Sequence, residues 1–501
     1  MSLIPKTRGG AMWRFLLAAV LVISAVAATT AVAGLLQIKQ ITGYFDETPA
    51  FTNVPVKLPN PGQPQTILVI GSDHRAGTSY TTANTDTMML IRLNASSSTI
   101  NLLSVPRDLK VQLPSGQAKL NAAYSEGGVR LLINTLKQEV FPGIQINHVL
   151  DVNFGAFEGL VNAIGCVYTD VDHRYYNNTA LTDYSSIDIQ PGYQKLCGTD
   201  ALEFVRFRHT DSDIVRNARQ QDFIRWAKDQ YSVGQIYNNK DTLLRIFGSH
   251  VQTDHSLHTS DGLIELFDLV LGSDGHQIKQ IPFPAIFLPC PAGVPCYVAA
   301  DPTAMHHAFT QFMTPTSPSA PSSKTGAKRK ARSAKLNTAG LTADVSDGQS
   351  QAAALGRTRL PVYYPKLLQT GSQYCSSATA NCDDFQEPQS EYAHAYPRSY
   401  EIHGHHGGVF PSYRMTIVIN SALGEYYGVQ GTTWQHPPIL NSVSATRKVG
   451  GRVFDLYENG AHVSLVAWHT SSGVYWISNS LTDTLTNSQM LASAASLTLA
   501  H

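Results

Sequence analysis

The stretch Asn101–Val111, NLLSVPRDLKV, opens as an apolar strand, breaks at Pro106, Arg107 and Asp108, and then turns apolar again. An arginine and a carboxylate at the mouth of a strand that otherwise reads as buried have two explanations. One is a surface ion pair at a strand end, which is common and worth little. The other is a group held ready for an anionic ligand. The surroundings fix the fold first. Thr66–Asp73 (TILVIGSD), Thr85–Leu93 (TDTMMLIRL) and Thr99–Val105 (TINLLSV) are short apolar runs with β-branched residues. Such runs mark strands covered on both faces. Helical periodicity follows in GGVRLLINTLKQEVF (127–141) and FGAFEGLVNAIG (154–165), with the candidate strand HVLDVN (148–153) between them. Further helices are predicted at TDALEFVRF (199–207), with Thr199 as N-cap, at ARQQDFIRWAKDQY (218–231) and at TSDGLIELFDLVLG (259–272). Strands alternating with helices of this length predict an α/β layered sheet.

Working outward, the 501 residues are enough for two or three domains. Lys plus Arg and Asp plus Glu both number 37, so no global field draws the chain to nucleic acid, and any electrostatic function must come from local clusters. Residues 15–38, FLLAAVLVISAVAATTAVAGLLQI, carry no charge and follow Lys6, Arg8 and Arg14. As a helix this segment would be roughly 36 Å long, enough to cross a hydrocarbon core of about 30 Å. A cleaved signal peptide is the alternative, given Ala31-Val32-Ala33, but the apolar stretch exceeds a usual signal core. The basic flank places residues 1–14 in the cytoplasm and everything after the 15–38 anchor outside the cell. Six cysteines suit that compartment and pair by proximity as Cys166 with Cys197, Cys290 with Cys296 and Cys375 with Cys382. Buried free thiols are the alternative. The absence of any CxxC spacing argues against a zinc ribbon.

Residues 39–64 are rich in proline and polar groups and read as a stalk before a first domain at 65–314. Residues 315–358 are dominated by Pro, Ser, Ala, Gly and Lys and read as a disordered linker. Its basic run, 328–332, would in isolation suit nucleic acid, but outside the cell it reads as a solvated linker or a contact for an anionic wall polymer. Residues 359–501 form a smaller α+β domain, with an Asn-Gly turn signal in GRVFDLYENGAHVSLVAWH and a final helix in TNSQMLASAASL. His403, His405 and His406 sit in a glycine-flanked loop that fixes no ligand geometry.

The strand ends of the first domain gather charge. Asp73 and Arg75 follow the first strand, Asp86 opens the next, Arg107 and Asp108 follow the third, and Lys119 and Asn121 come soon after. Residues 201–221 add Arg206, Arg208, Asp211, Asp213, Arg216, Arg219 and Gln220. In an open α/β sheet such loops converge on the crevice beyond the strand ends. Two carboxylates near several arginines suit a divalent cation with a multiply charged oxyanion: magnesium takes one or two carboxylates plus phosphate oxygens, and guanidinium forks bind the rest. The natural ligand is a pyrophosphate. A lattice of surface salt bridges explains any one pair, but not their gathering at successive strand ends.

ILVIGSDHR, NTDTMMLIRLN, INLLSVPRDLKV, KLNAAYSEGG, HVLDVNFGAFEGLVNAIGCV and ALEFVRFRHTDSDIVRNARQQDFI together resemble the LytR-CpsA-Psr family in order and spacing, over roughly residues 65 to 235. The resemblance implies a three-layer α-β-α sandwich with a central mixed sheet. It implies membrane-anchored enzymes that transfer a glycopolymer from a polyprenyl-pyrophosphate carrier to peptidoglycan. Carried onto this chain, it makes Asp73 and Asp86 the holders of Mg2+, with Arg107 beside them in the catalytic group. Arg107, Arg206, Arg208, Arg216 and Gln220 become the pyrophosphate clamp, with Lys119 in the same groove and Arg75 and Arg219 completing the candidate set. Asn84 stands where many members carry an arginine. Hydrolysis of the same lipid, or binding of wall polymer without catalysis, are the rival activities.

Overall fold

The computed structural model describes residues 48–60, 62–72, 85–177, 186–208, 212–231, 239–273, 275–290, 295–316, 332–356, 358–376, 395–404 and 407–500, with Gln235 and Cys382. The 15–38 segment, Asp73, Arg75, Asn84, Asp211, His405 and His406 lie outside the described residues. Among those described, no helix is long and apolar enough to cross a membrane.

Six strands form the central sheet of the first domain. Gln65–Ser72 runs antiparallel to Thr85–Leu93 and parallel to His148–Val152. Thr99–Ser104 pairs antiparallel with Thr85–Leu93 and parallel with Gln277–Ile281, and Val251–Thr253 closes the other edge beside His148–Val152. Side chains alternate across the pleat, so each strand feeds two cores. Leu68, Ile70, Met88, Leu90 and Leu103 face the helices Ala122–Thr135 and Pro302–Met313. Ile67, Val69, Met89, Ile91 and Leu102 face the opposite way, where Leu269 of Ser260–Gly272 and Ile224 of Asp213–Gln230 pack. The layered α/β reading is therefore an α-β-α sandwich with a mixed sheet. Fully burying each such side chain contributes about 1.5–3 kcal/mol.

The C-terminal domain centres on a nine-stranded sheet. It is largely antiparallel, with the helices Val345–Ala354 and Asn487–Ala495 packed on it. The Asn-Gly signal is indeed a tight turn between Arg452–Asn459 and His462–His469. Two expectations need correction. The 315–358 stretch is not all linker: Arg332–Ser333 adds a strand beside Ala445–Val449, and Ala352 and Leu355 enter the domain core. Composition hid this because the 345–354 helix buries small residues, and Gly348 leaves room for the Tyr364 ring, which a Cβ there would meet at 2.3 Å. The second correction is that Cys197, not Thr199, is the N-cap of Gly198–Arg206. A Cβ at Gly198 would meet Asn162 Nδ2 at 2.7 Å and push that side chain aside, and the φ of +32° is one that side-chain-bearing residues rarely adopt, so a larger residue there would be strained.

All three disulfides join sequence neighbours: Cys166–Cys197, Cys290–Cys296 and Cys375–Cys382. The first ties the end of Phe154–Ile164 to the start of Gly198–Arg206. The two domains are packed together. Tyr168 meets Trp434 edge-on at 5.2 Å, Tyr193 meets Trp476 at 5.6 Å, and fully buried Arg414 reaches Asp170 at 3.1 Å.

Candidate functional site

Three elements of the first domain bring their charged residues to one place. Thr85–Leu93 presents Asp86 and Thr87 at its start, the turn after Thr99–Ser104 presents Arg107 and Asp108, and Asp213–Gln230 presents its first two turns. That helix begins where Ser212 accepts a hydrogen bond from Val215 N at 3.3 Å, a side-chain N-cap that frees Asp213 to sit in the positive first turn.

Asp213 is the hub. Its Oδ1 lies 2.8 Å from Arg216 Nη2, 3.3 Å from Arg208 Nε and 3.8 Å from Arg107 Nε. Asp108 is a second anchor, with Lys119 Nζ at 2.8 Å on one oxygen and Arg208 Nη2 at 2.6 Å on the other. Arg107 Nη1 donates to Asp86 Oδ1. Arg216 Nη2 donates to the Asp86 carbonyl at 2.5 Å, and Gln220 Nε2 donates to Thr87 Oγ1 at 2.9 Å and Val205 O at 3.0 Å. The side chains divide into a floor and a mouth. Asp213 and Arg216 are 2% and 3% exposed, whereas Arg107, Asp86, Lys119 and Arg208 are 22–32% exposed. Burial pulls the Arg216 guanidinium below its usual pKa, Asp213 opposes that, and Arg107, Asp86 and Asp108 all act on it, so the groups share one field.

Among the described residues, four cations therefore face three carboxylates in this cluster. Among the described residues, Nε of Arg107, Nε of Arg216 and both oxygens of Asp213 are buried without a hydrogen bond. Buried donors are normally paired, so a cluster with two spare guanidinium donors and, among its described residues, a net positive charge is chemically suited to an anionic guest. A multiply charged oxyanion would satisfy the mouth donors with charge-assisted bonds worth roughly 1.5–3 kcal/mol each.

Of the ten sequence-predicted residues, Asp86, Arg107, Lys119, Arg208, Arg216 and Gln220 come together here. Asp73 and Arg75 lie outside the described residues. Arg206 is the last residue of Gly198–Arg206, and its guanidinium carbon lies 3.7 Å from the centre of the Phe154 ring. Arg219 does not join them. It is fully buried, donating from Nη1 to the carbonyls of Phe204 at 2.9 Å and Phe207 at 2.8 Å. The sequence reading also left Asp108 and Asp213 without a role. The signals were present: an acid directly after a serine N-cap, three residues before an arginine, is placed to pair with it.

Among the described residues no group of three or more His, Cys, Asp or Glu is placed to hold a metal. Asp86, half open at the mouth, fits one carboxylate ligand of a hard cation that takes its remaining oxygens from water and phosphate.

An α/β sandwich that gathers guanidinium groups around buried carboxylates at its strand ends has the chemistry of an oxyanion-binding domain. The family model described as LytR_cpsA_psr matches residues 36–299, more than half of the chain, and the chain belongs to that family. It is similar to the polyisoprenyl-teichoic acid-peptidoglycan teichoic acid transferase TagT of Bacillus subtilis (strain 168), 29% identical over 201 residues, covering 39% of this chain and 62% of the relative. TagU of Oceanobacillus iheyensis, named for the same transfer, is 32% identical over 197 residues, covering 38% of this chain and 58% of the relative. The matched part thus spans only about three fifths of these relatives' length. A solved structure described as TagT bound to LIIa-WTA is 25% identical with a TM-score of 0.40, covering 51% of this chain and 92% of that one.

Proposed function

We propose that the first domain transfers a glycopolymer from a polyprenyl-pyrophosphate carrier to peptidoglycan. The relatives named as teichoic acid transferases support the reaction class, and the arginine cluster held by Asp213 is the observation that carries it. An acceptor hydroxyl of the glycan attacks the sugar-linked phosphorus. Its oxygen forms the new phosphodiester, the bond from that phosphorus to the bridging oxygen breaks, polyprenyl phosphate leaves, and the hydroxyl proton passes to solvent. Arg107, Arg208 and Lys119, at the open mouth, grip the diphosphate oxygens and neutralise charge developing on the leaving group. Arg216 and Gln220 hold the start of Thr85–Leu93, which keeps Asp86 and Arg107 in line. Asp86, with Asp73 as the family resemblance implies, would hold Mg2+. When bound, that ion supplies further charge neutralisation at the diphosphate. The 15–38 segment, as a single anchor with its N-terminus in the cytoplasm, would set this site outside the membrane next to its lipid substrate.

The test uses the full chain with a polyprenyl-pyrophosphate-linked glycopolymer, Mg2+ and peptidoglycan. Phosphodiester-linked polymer on the glycan is expected, and Arg107→Ala should lower its rate at least about a hundredfold, the scale of losing one preorganised charge-stabilising donor. Free polymer with no linkage would instead identify a hydrolase. Unchanged transfer in Arg107→Ala would place the chemistry elsewhere.

A further inference from the structure

We propose that Arg219 is a positioning residue for the clamp arginines, and that the docked C-terminal domain acts through it by bracing the strand end on which it rests. This inference rests on the pyrophosphate-binding reading above and assigns the C-terminal domain a part in that site.

The chain of contacts is continuous. From the C-terminal strand Val409–Asn420, Thr416 Oγ1 donates to the Asp172 carbonyl at 3.0 Å and Arg414 reaches Asp170. The ring of Tyr426 stacks on His173, with centres 4.0 Å apart and planes 16° from parallel. These contacts pin residues 170–173 at the end of Val167–Val171. There the Asp172 carboxylate accepts a 2.5 Å hydrogen bond from Tyr175 OH. Burial works against that carboxylate's charge, but His173, Tyr175 and Arg219 outweigh it and hold its pKa below the usual range. The face of the Tyr175 ring carries Arg219, whose guanidinium carbon is 4.4 Å from the ring centre. One Arg219 nitrogen then holds the carbonyls of both Phe204 and Phe207. Arg206 lies between these two residues and Arg208 directly follows them.

The chemistry of Arg219 argues for a positional role over simple filling. A fully buried cation costs several kcal/mol to desolvate, and an apolar side chain of similar volume would avoid that cost. What a guanidinium adds is two hydrogen bonds in fixed directions to the last turn of Gly198–Arg206, at the negative end of that helix. The other end of the helix is fixed by Cys166–Cys197. The segment that supplies Arg206 and Arg208 is therefore held at both ends.

The test measures binding of farnesyl pyrophosphate to the full chain by calorimetry, with thermal unfolding of each variant alongside. Tyr175→Phe keeps the ring under Arg219 but removes the bond to Asp172, and Tyr426→Leu removes the C-terminal domain's ring from His173. Each should weaken binding about three- to tenfold, the scale of one lost hydrogen bond or ring contact, and Arg219→Lys at least tenfold. In an Arg206→Ala/Arg208→Ala background, Tyr175→Phe should change affinity less than twofold, because a residue acting through the clamp has nothing left to aim. Equal losses in both backgrounds, or wild-type affinity in Tyr175→Phe and Tyr426→Leu, would overturn the proposal. A wild-type chain that fails to bind, or an Arg107→Ala variant that binds normally, would instead remove the pyrophosphate reading and this inference with it.

Discussion

The helix Asp213–Gln230 has two ends with opposite electrostatic character. Its first two turns put Asp213, Arg216 and Gln220 into a cluster where, among the described residues, cations outnumber acids. Its last three turns put Asp222, Arg225 and Asp229 into a cleft between the domains, where Asp483 of the C-terminal domain joins the two aspartates in acting on Arg225 and Glu458 lines the same cleft. At the first end a carboxylate is surrounded by guanidinium groups; at the second a guanidinium is surrounded by carboxylates. Asp222 pairs with Arg225 at 2.5 Å and accepts from Gln280 at 3.0 Å, and Gln280 in turn bonds Asn459 across the domain boundary. The acidic end is thus tied into the domain seam, whereas the basic end keeps four half-open charged groups at its mouth. Spare positive charge there favours an anionic guest, and the seam's carboxylates would repel one.

The largest effect should come from reversing the balance at the hub. Asp213→Asn leaves Arg107, Arg208 and Arg216 without their shared counter-charge in a buried position, a loss of about 3–5 kcal/mol in stability. Added pyrophosphate should raise the melting temperature of this variant more than that of the wild type, since the ligand restores the missing anion. Equal shifts in a thermal unfolding titration would mean that Asp213 does not oppose the clamp's repulsion.

The two ends should also respond differently to the loss of one cation. Arg225→Met removes the cation that pairs with Asp222 in the seam, and urea unfolding at pH 7 should show a loss of about 2–3 kcal/mol that shrinks toward pH 5 as Asp229 and Asp483, whose carboxyls burial already pushes up, take up protons. Lys119→Met removes a cation from the crowded mouth, where its partly exposed bridge to Asp108 is worth at most about 1 kcal/mol. Stability should barely change while pyrophosphate affinity falls several-fold. Similar stability losses in both variants would erase the distinction between the ends.

Much of this arrangement is legible in the chain. The β-branched apolar runs and their spacing lead to the layered sheet because a strand covered on both faces needs apolar residues at every position. The charges at strand ends lead to the cluster because strand ends of one sheet share a crevice. Arg219 shows where such reading stops. It lies only about 60° around the helix from Arg216, an angle at which a sequence cannot separate a cleft from a core. What separates them is tertiary: the rings of Tyr175, Phe204 and Phe207 gather under Arg219 and the carbonyls of Phe204 and Phe207 receive it. The strand and helix within 332–356 were hidden for a related reason. Small and polar residues can pack against a tyrosine as well as remain in solvent, and only the partner surface decides between the two.

A smaller effect than that of Arg225 belongs to Asp483, and it tests the acidic end most directly. Burial, and then the charge of Asp222, push its carboxyl up to about 7, with Arg225 opposing. The folded state therefore holds a proton that the unfolded chain, with an ordinary carboxyl near 3.8, has already lost. Stability falls as pH rises from about 4 to about 7 and is level above that, the reverse of a salt-bridged aspartate. Asp483 also sits at φ +53°, a left-handed conformation that asparagine shares easily, so Asp483→Asn changes the charge without straining the backbone. The variant should be more stable than the wild type at pH 8, by about 1–2 kcal/mol once solvent screening is allowed for, and equal to it at pH 4. Unfolding curves that coincide at both pH values would show that Asp483 is not crowded by Asp222, and the two ends of the helix would then differ in composition but not in electrostatic strain.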